Sequence, residues 1–167
     1  MDQGLLLMRV IIGLLMAGHG SQKLFGWFGG PGIAGVSGYF ESLGFRPGKL
    51  FAVAASVSEL LSGLLIATGF LGPIGPALML SVMIVAAVTV HWRNGLFVTS
   101  NGIEVPLLYG VLGVALALTG FGRFSLDGLL GLTPLWTPAI AWAAIAVGIA
   151  GGAANLALRR PAVEAKA

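Results

Sequence analysis

Glu59 is the single formal charge in the run of residues 50–71, which otherwise holds apolar and small residues. A carboxylate in such a run is costly in hydrocarbon and normally faces protein or water rather than lipid. The two histidines of the chain, His19 and His91, are the other side chains able to exchange protons near neutral pH. His19 and Lys23 are four residues apart and share one helical face. Three chemistries suit this set. The first is hydrogen bonding and proton transfer to a lipophilic redox molecule. A quinone has two carbonyl oxygens to be bridged and protonated on reduction, work that imidazoles and a carboxyl group can do. The second is a metal site, with His19, Glu59 and His91 as ligand types suited to iron or zinc, although no HExxH or EF-hand spacing accompanies them. The third is a small oxyanion, for which Arg9, Lys23, Arg46 and Arg93 are attractive partners. Against all three stands an architectural role, in which Glu59 is hydrogen-bonded across a helix interface and does nothing else.

These residues need elements to hold them. A helix over residues 50–71 reaches about 30 Å, enough to cross a bilayer. Further crossings are expected at about 5–25, 77–92, 105–121 and 135–158. Together they give an all-α integral membrane helical bundle, with a four-helix core and a fifth C-terminal transmembrane helix. Between the first two crossings, Trp27 and Phe28 are interfacial anchors and Pro31-Gly32 breaks the chain. Ile33, Val36, Phe40 and Leu43 then recur at helical spacing, predicting a short amphipathic helix on or in the membrane surface. Gly72 to Pro76 is a tight turn, so the second and third crossings are antiparallel neighbours. Asn101-Gly102 signals a turn, and Asn101 with Glu104 resembles a helix N-cap with its acidic partner. Residues 1–160 read as one domain and 161–167 as a short tail.

Depth arithmetic gathers the polar groups. His19 lies roughly 9 Å and Glu59 roughly 13 Å from the same membrane surface. Lys23, His91, Arg93, Asn101 and Glu104 lie at or just inside that surface, while Arg9 and Arg123 lie near the other. Arg9 is about one turn inside its surface, within reach of the headgroups by snorkelling. A polar pocket in one half of the membrane, lidded by residues 26–49, accounts for the asymmetry. With the N-terminus outside and the C-terminus cytoplasmic, Lys23, Arg46, Lys49, Arg93, Arg159, Arg160 and Lys166 fall on the cytoplasmic side, in keeping with the positive-inside rule.

Composition narrows the field further. The chain is 57% hydrophobic and 9% charged, far below the roughly 25% charged residues of a soluble domain. Its nine Lys and Arg mostly flank the apolar runs, which argues for membrane lipid and against nucleic acid as the partner of a +3 charge. Cysteine is absent, so thiolate nucleophiles, thiolate-bound metals and covalently attached c-type haem are excluded for the chain alone. Gly13, Gly63, Gly69, Gly75, Gly110 and Gly113 sit in apolar runs, where glycine lets helices approach.

Taken in order, Arg9, His19-Gly20-x-x-Lys23, Ser58-Glu59 with Gly63 and Thr68-Gly69, His91, and Asn101-Gly102-x-Glu104 resemble the DoxX family over about residues 5–130. The resemblance implies a compact four-helix membrane protein of bacteria or archaea, in the cell inner membrane. It is similar to the DoxD-type subunit of thiosulfate:quinone oxidoreductase. Carried over, the characteristic polar positions are Arg9, His19, Lys23, Glu59, His91, Asn101 and Glu104, with Glu59, His19 and His91 as acid–base candidates. The fifth helix is an addition to the family pattern. The expectation is a quinone-facing redox subunit of a membrane oxidoreductase complex, with no covalent cofactor, a redox protein as partner, and oligomer formation left open. A structural or assembly subunit and a small-solute transporter are the alternatives.

Overall fold

The structure, a computed structural model, describes residues 2–160; the tail, with Lys166, lies outside the described residues. Among the described residues the regular elements are all helices, joined by turns and loops. In order come α1 (Asp2–Phe25), α2 (Gly32–Ser42), α3 (Gly48–Thr68), α4 (Ile74–Ala86), α5 (Glu104–Thr119), the single turn α6 (Leu126–Leu129) and α7 (Pro138–Ala157). From Ala87 to His91, α4 widens into a π-helical turn before a last tight turn at Trp92–Asn94. Four helices are long and apolar enough to cross a membrane: Asp2–Phe25, Gly48–Thr68, Ile74–Asn94 and Pro138–Ala157. The expected crossing at 105–121 is the shorter α5, whose 16 residues reach only about 24 Å.

Packing begins with α1 against α3. A Cβ on Gly13 would lie 2.4 Å from the Ala67 backbone nitrogen, and one on Gly63 would lie 2.3 Å from that of Ala17. The two backbones therefore meet where neither side has a side chain, as expected where water supplies no driving force between helices. Gly69 has a different task from the one expected of it. It ends α3 in the left-handed conformation (φ 67°), with Gly69 N–H on Ile66 O and Phe70 N–H on Leu65 O. This paired arrangement satisfies the last carbonyls of the helix.

Met16, Ile66, Met79, Met83, Leu116 and Phe121 form the buried centre. Leu80, Ala117 and Ile145 continue it where α7 joins α4 and α5. The outer surface is also apolar, with Leu14, Leu64, Val111 and Val147 all exposed. That pattern suits a lipid surround, which is as apolar as leucine itself.

The two ends of the bundle differ. At the end holding Asp2, Arg9 is buried and donates to the carbonyls of Ile66, Ala67 and Phe124. It does not snorkel: the loop after α5 folds over it and takes up its fork. Buried Asp127 accepts from the N–H groups of Leu71 (3.0 Å) and Gly72 (2.7 Å), holding the α3–α4 turn. This end, expected to carry only Arg9 and Arg123, is thus stitched by its own buried charges. At the other end, Glu41 of α2 accepts from Gly48 N–H at the start of α3 (3.2 Å). Arg159 donates to Leu43 O, and Arg160 N–H reaches Gly44 O at 2.8 Å. The connection between α2 and α3 is therefore held from both sides.

Candidate functional site

A cavity of about 510 Å³ lies at this second end, between the last turns of α1, the whole of α2, the first half of α3 and the last turns of α4. Val36, Tyr39, Phe40 and Leu43 of α2 form one wall. The facing wall is Val82, Val85 and Ala86 of α4, followed by Thr89, Val90 and His91 of the π-helical turn. Turns of this kind widen a helix by one residue and are frequent at functional sites. Here the widening brings three consecutive residues to one cavity. The ionisable groups among the lining residues are Lys23 and Glu59 together, His91 and Tyr39, and Gln22, Ser58, Ser81, Thr89 and Asn155 add neutral polar groups to an otherwise apolar wall. The expected polar pocket is thus a largely apolar chamber with a small number of placed polar groups, the usual make-up of a small-molecule site.

Glu59 is 2% exposed, and one of its oxygens is ion-paired to the Lys23 ammonium, which is a third exposed. Its other oxygen, Oε2, is buried with no hydrogen-bond donor among the described residues. A carboxylate oxygen left without a donor is expensive, and among the cavity's lining residues Glu59 is the one with a buried polar atom in that state. His91 is oriented from behind. Its Nδ1 lies 2.8 Å from the Asn101 carbonyl. A carbonyl only accepts, so Nδ1 carries the proton and Nε2 is left as the ring's free acceptor.

The remaining expected site residues are placed elsewhere. His19 is exposed on α1 with its ring edge-on to Tyr109, centroids 6.4 Å apart, and it does not line the cavity. Arg9 is at the opposite end, as described. Asn101 and Glu104 stay outside the cavity and shape the hairpin that carries His91. The N-cap of α5 is Ile103, in place of the expected Asn101. In Asn-Gly the asparagine takes the left-handed turn position (φ 60°) instead. Glu104 reaches back to Val98 N–H at 2.7 Å, and Asn94 Nδ2 joins His91 on the Asn101 carbonyl. Arg46 is exposed at the turn into α3. Among the described residues no three His, Asp or Glu side chains are grouped as metal ligands, so His19, Glu59 and His91 do not form a metal trio.

Sequence reading missed Tyr39 and Asn155 as lining residues. Tyr39 was legible as the fourth member of the Val36, Phe40, Leu43 face. Asn155 was legible as the one amide in an otherwise apolar, Gly- and Ala-rich crossing.

Comparison with known proteins returned one family. The DoxX family model matches residues 4–92, from the first turns of α1 through the π-helical turn. The match takes in Arg9, His19, Lys23, Glu59 and His91, and stops short of the Asn101 to Glu104 region and of α5 to α7. No curated protein and no solved structure matches. With more than half of its length matched, the chain is a member of the DoxX family.

Proposed function

We propose that this membrane protein is a quinone-facing redox subunit, holding the head of a quinone in the cavity between α2 and the π-helical turn. The observation that carries the reading is the pairing of a mainly apolar chamber with two placed acceptors, Glu59 Oε2 and His91 Nε2. An isoprenoid tail gains little by leaving lipid, so selectivity must come from the polar head. In the oxidised form the head accepts, from the Lys23 ammonium and from His91 in its imidazolium form. In the reduced form its two hydroxyls donate, and the two acceptors are ready for them. Reduction of a quinone takes two electrons and two protons. The electrons come from the redox centre of a partner protein. The Lys23–Glu59 pair and His91 supply one proton each and recover them from water at the membrane surface. Lys23, Glu59 and His91 thus hold the head, and Asn101 and Glu104 act through the position of His91.

In this reading the chain crosses a bacterial inner membrane five times as one domain of residues 1–160, with α5 as the short crossing. The cavity end, with Lys23, Arg46, Lys49, Arg93, Arg159 and Arg160, faces the cytoplasm. The amphipathic α2 serves as a lid at headgroup depth.

Membranes containing the protein should bind a short-chain quinone saturably. His91→Ala is expected to weaken that binding about three- to ten-fold, the weight of one or two ordinary hydrogen bonds. His19→Ala, altering a ring outside the cavity, is expected to leave it unchanged. Absence of saturable binding, or equal effects of the two substitutions, would count against the assignment.

A further inference from the structure

A second, smaller pocket of about 150 Å³ lies behind the π-helical turn, lined by Val88, Thr89, Val90, Trp92, Arg93 and Arg159. Two arginines from chain segments far apart in sequence line it, and no carboxylate does. Among the described residues the ion pairs are Lys23–Glu59 and Arg123–Asp2, so neither guanidinium is neutralised by a partner. Among the described residues Arg159 spends only its Nε, on Leu43 O, which fixes the plane of the fork and leaves the terminal nitrogens for another acceptor. The Thr89 hydroxyl is engaged with Val85 O at 2.8 Å, so the donors here are those of the arginines and the Trp92 indole N–H. Trp92 beside them is 67% exposed, as suits an indole at headgroup depth.

We propose that Arg93 and Arg159 form a site for an anionic phosphate group at the membrane surface, carried by a lipid headgroup or by free phosphate. Planar forks of this kind match phosphate oxygens, and basic pockets between membrane helices are suited to anionic headgroups. The site is joined to the large cavity through shared walls. Thr89 and Val90 line both, and the carbonyl that orients Arg159 belongs to Leu43, a lining residue of the lid. A phosphate on Arg159 therefore steadies the edge of α2.

The test is native mass spectrometry of the full-length detergent-purified protein, titrated with phosphatidylglycerol, phosphatidylcholine or inorganic phosphate. The wild type is expected to retain one phosphatidylglycerol in preference to phosphatidylcholine. Arg93→Gln and Arg159→Gln should each weaken retention about ten-fold, the scale of one charge-assisted hydrogen bond. Lys49→Gln, an exposed charge at the same end, should change it less than two-fold. Arg93 makes no side-chain hydrogen bond or ion pair among the described residues, so Arg93→Gln remains decisive if Arg159→Gln fails to fold. Displacement of the lipid by inorganic phosphate identifies free phosphate as a ligand, and retention of the lipid identifies the headgroup. The proposal is overturned if Arg93→Gln behaves like Lys49→Gln, or if neither lipid nor phosphate binds preferentially.

Discussion

Replacing Glu59 by leucine is expected to lower the folded yield and the apparent Tm, and restoring charge balance should recover most of the loss. The substitution leaves the Lys23 ammonium without its carboxylate. Breaking a fully buried pair typically costs about 3–5 kcal/mol. Lys23 is a third exposed and can swing toward water, so about 2 kcal/mol is expected. Lys23→Met together with Glu59→Leu removes both charges, and a buried pair exchanged for apolar groups is often neutral in stability. The double variant should therefore fold close to the wild type while failing to bind a short-chain quinone. Glu59→Gln should fold and bind weakly, since the amide keeps a hydrogen bond but not the charge. These variants separate architecture from chemistry. If the double variant binds quinone as the wild type does, the ion pair is only a fastening between α1 and α3.

Arg9→Met is expected to have the larger effect on stability and none on the cavity. Arg9 donates to the carbonyls of Ile66 and Ala67 at the end of α3, where the helix dipole also favours a cation, and to that of Phe124 in the loop after α5. Hydrogen bonds to charged groups contribute about 1.5–3 kcal/mol each; the Ile66 carbonyl keeps the Gly69 N–H, while those of Ala67 and Phe124 lose the guanidinium. A loss of about 3 kcal/mol or more is expected. Arg9→Lys should recover little of it, because a point charge cannot span carbonyls from two segments. The folded fraction of either variant should bind quinone normally. A selective loss of binding at unchanged Tm would mean that Arg9 belongs to the site after all.

The sequence made the spans visible because a membrane crossing must be both long and apolar. Residues 5–25, 50–71 and 135–158 correspond to α1, α3 and α7 within a few residues, and 77–92 falls within α4 taken together with its π-helical and last turns, Ile74–Asn94. Helical periodicity likewise marked α2, since Val36 and Phe40 must share a face. Depth put Glu59 and Lys23 in the same half of the membrane but not at one level. Lys23 lies near the surface and Glu59 roughly 13 Å inside it, and the reach of the lysine side chain closes the gap. The same arithmetic misled for His19. Depth says how far along a helix a residue lies, not which way it points, and His19 points outward to Tyr109. Arg9 shows the complementary limit. Its partners are backbone carbonyls of a turn and of a loop far along the chain, and carbonyls are present at every residue. The π-helical turn at Ala87 to His91 had no signal in residue types either. It is a consequence of packing, and it decides which three residues of α4 meet the cavity.

The central claim is that the cavity between α2 and the π-helical turn holds a quinone head. It is tested most directly by labelling membranes with a photoreactive short-chain quinone and mapping the adducts by peptide mass spectrometry. The account predicts adducts at Tyr39 or Phe40 and at Thr89 to His91, suppressed by excess unlabelled quinone. Adducts confined to lipid-facing positions such as Leu14 and Val147, or not suppressed by competitor, would contradict it.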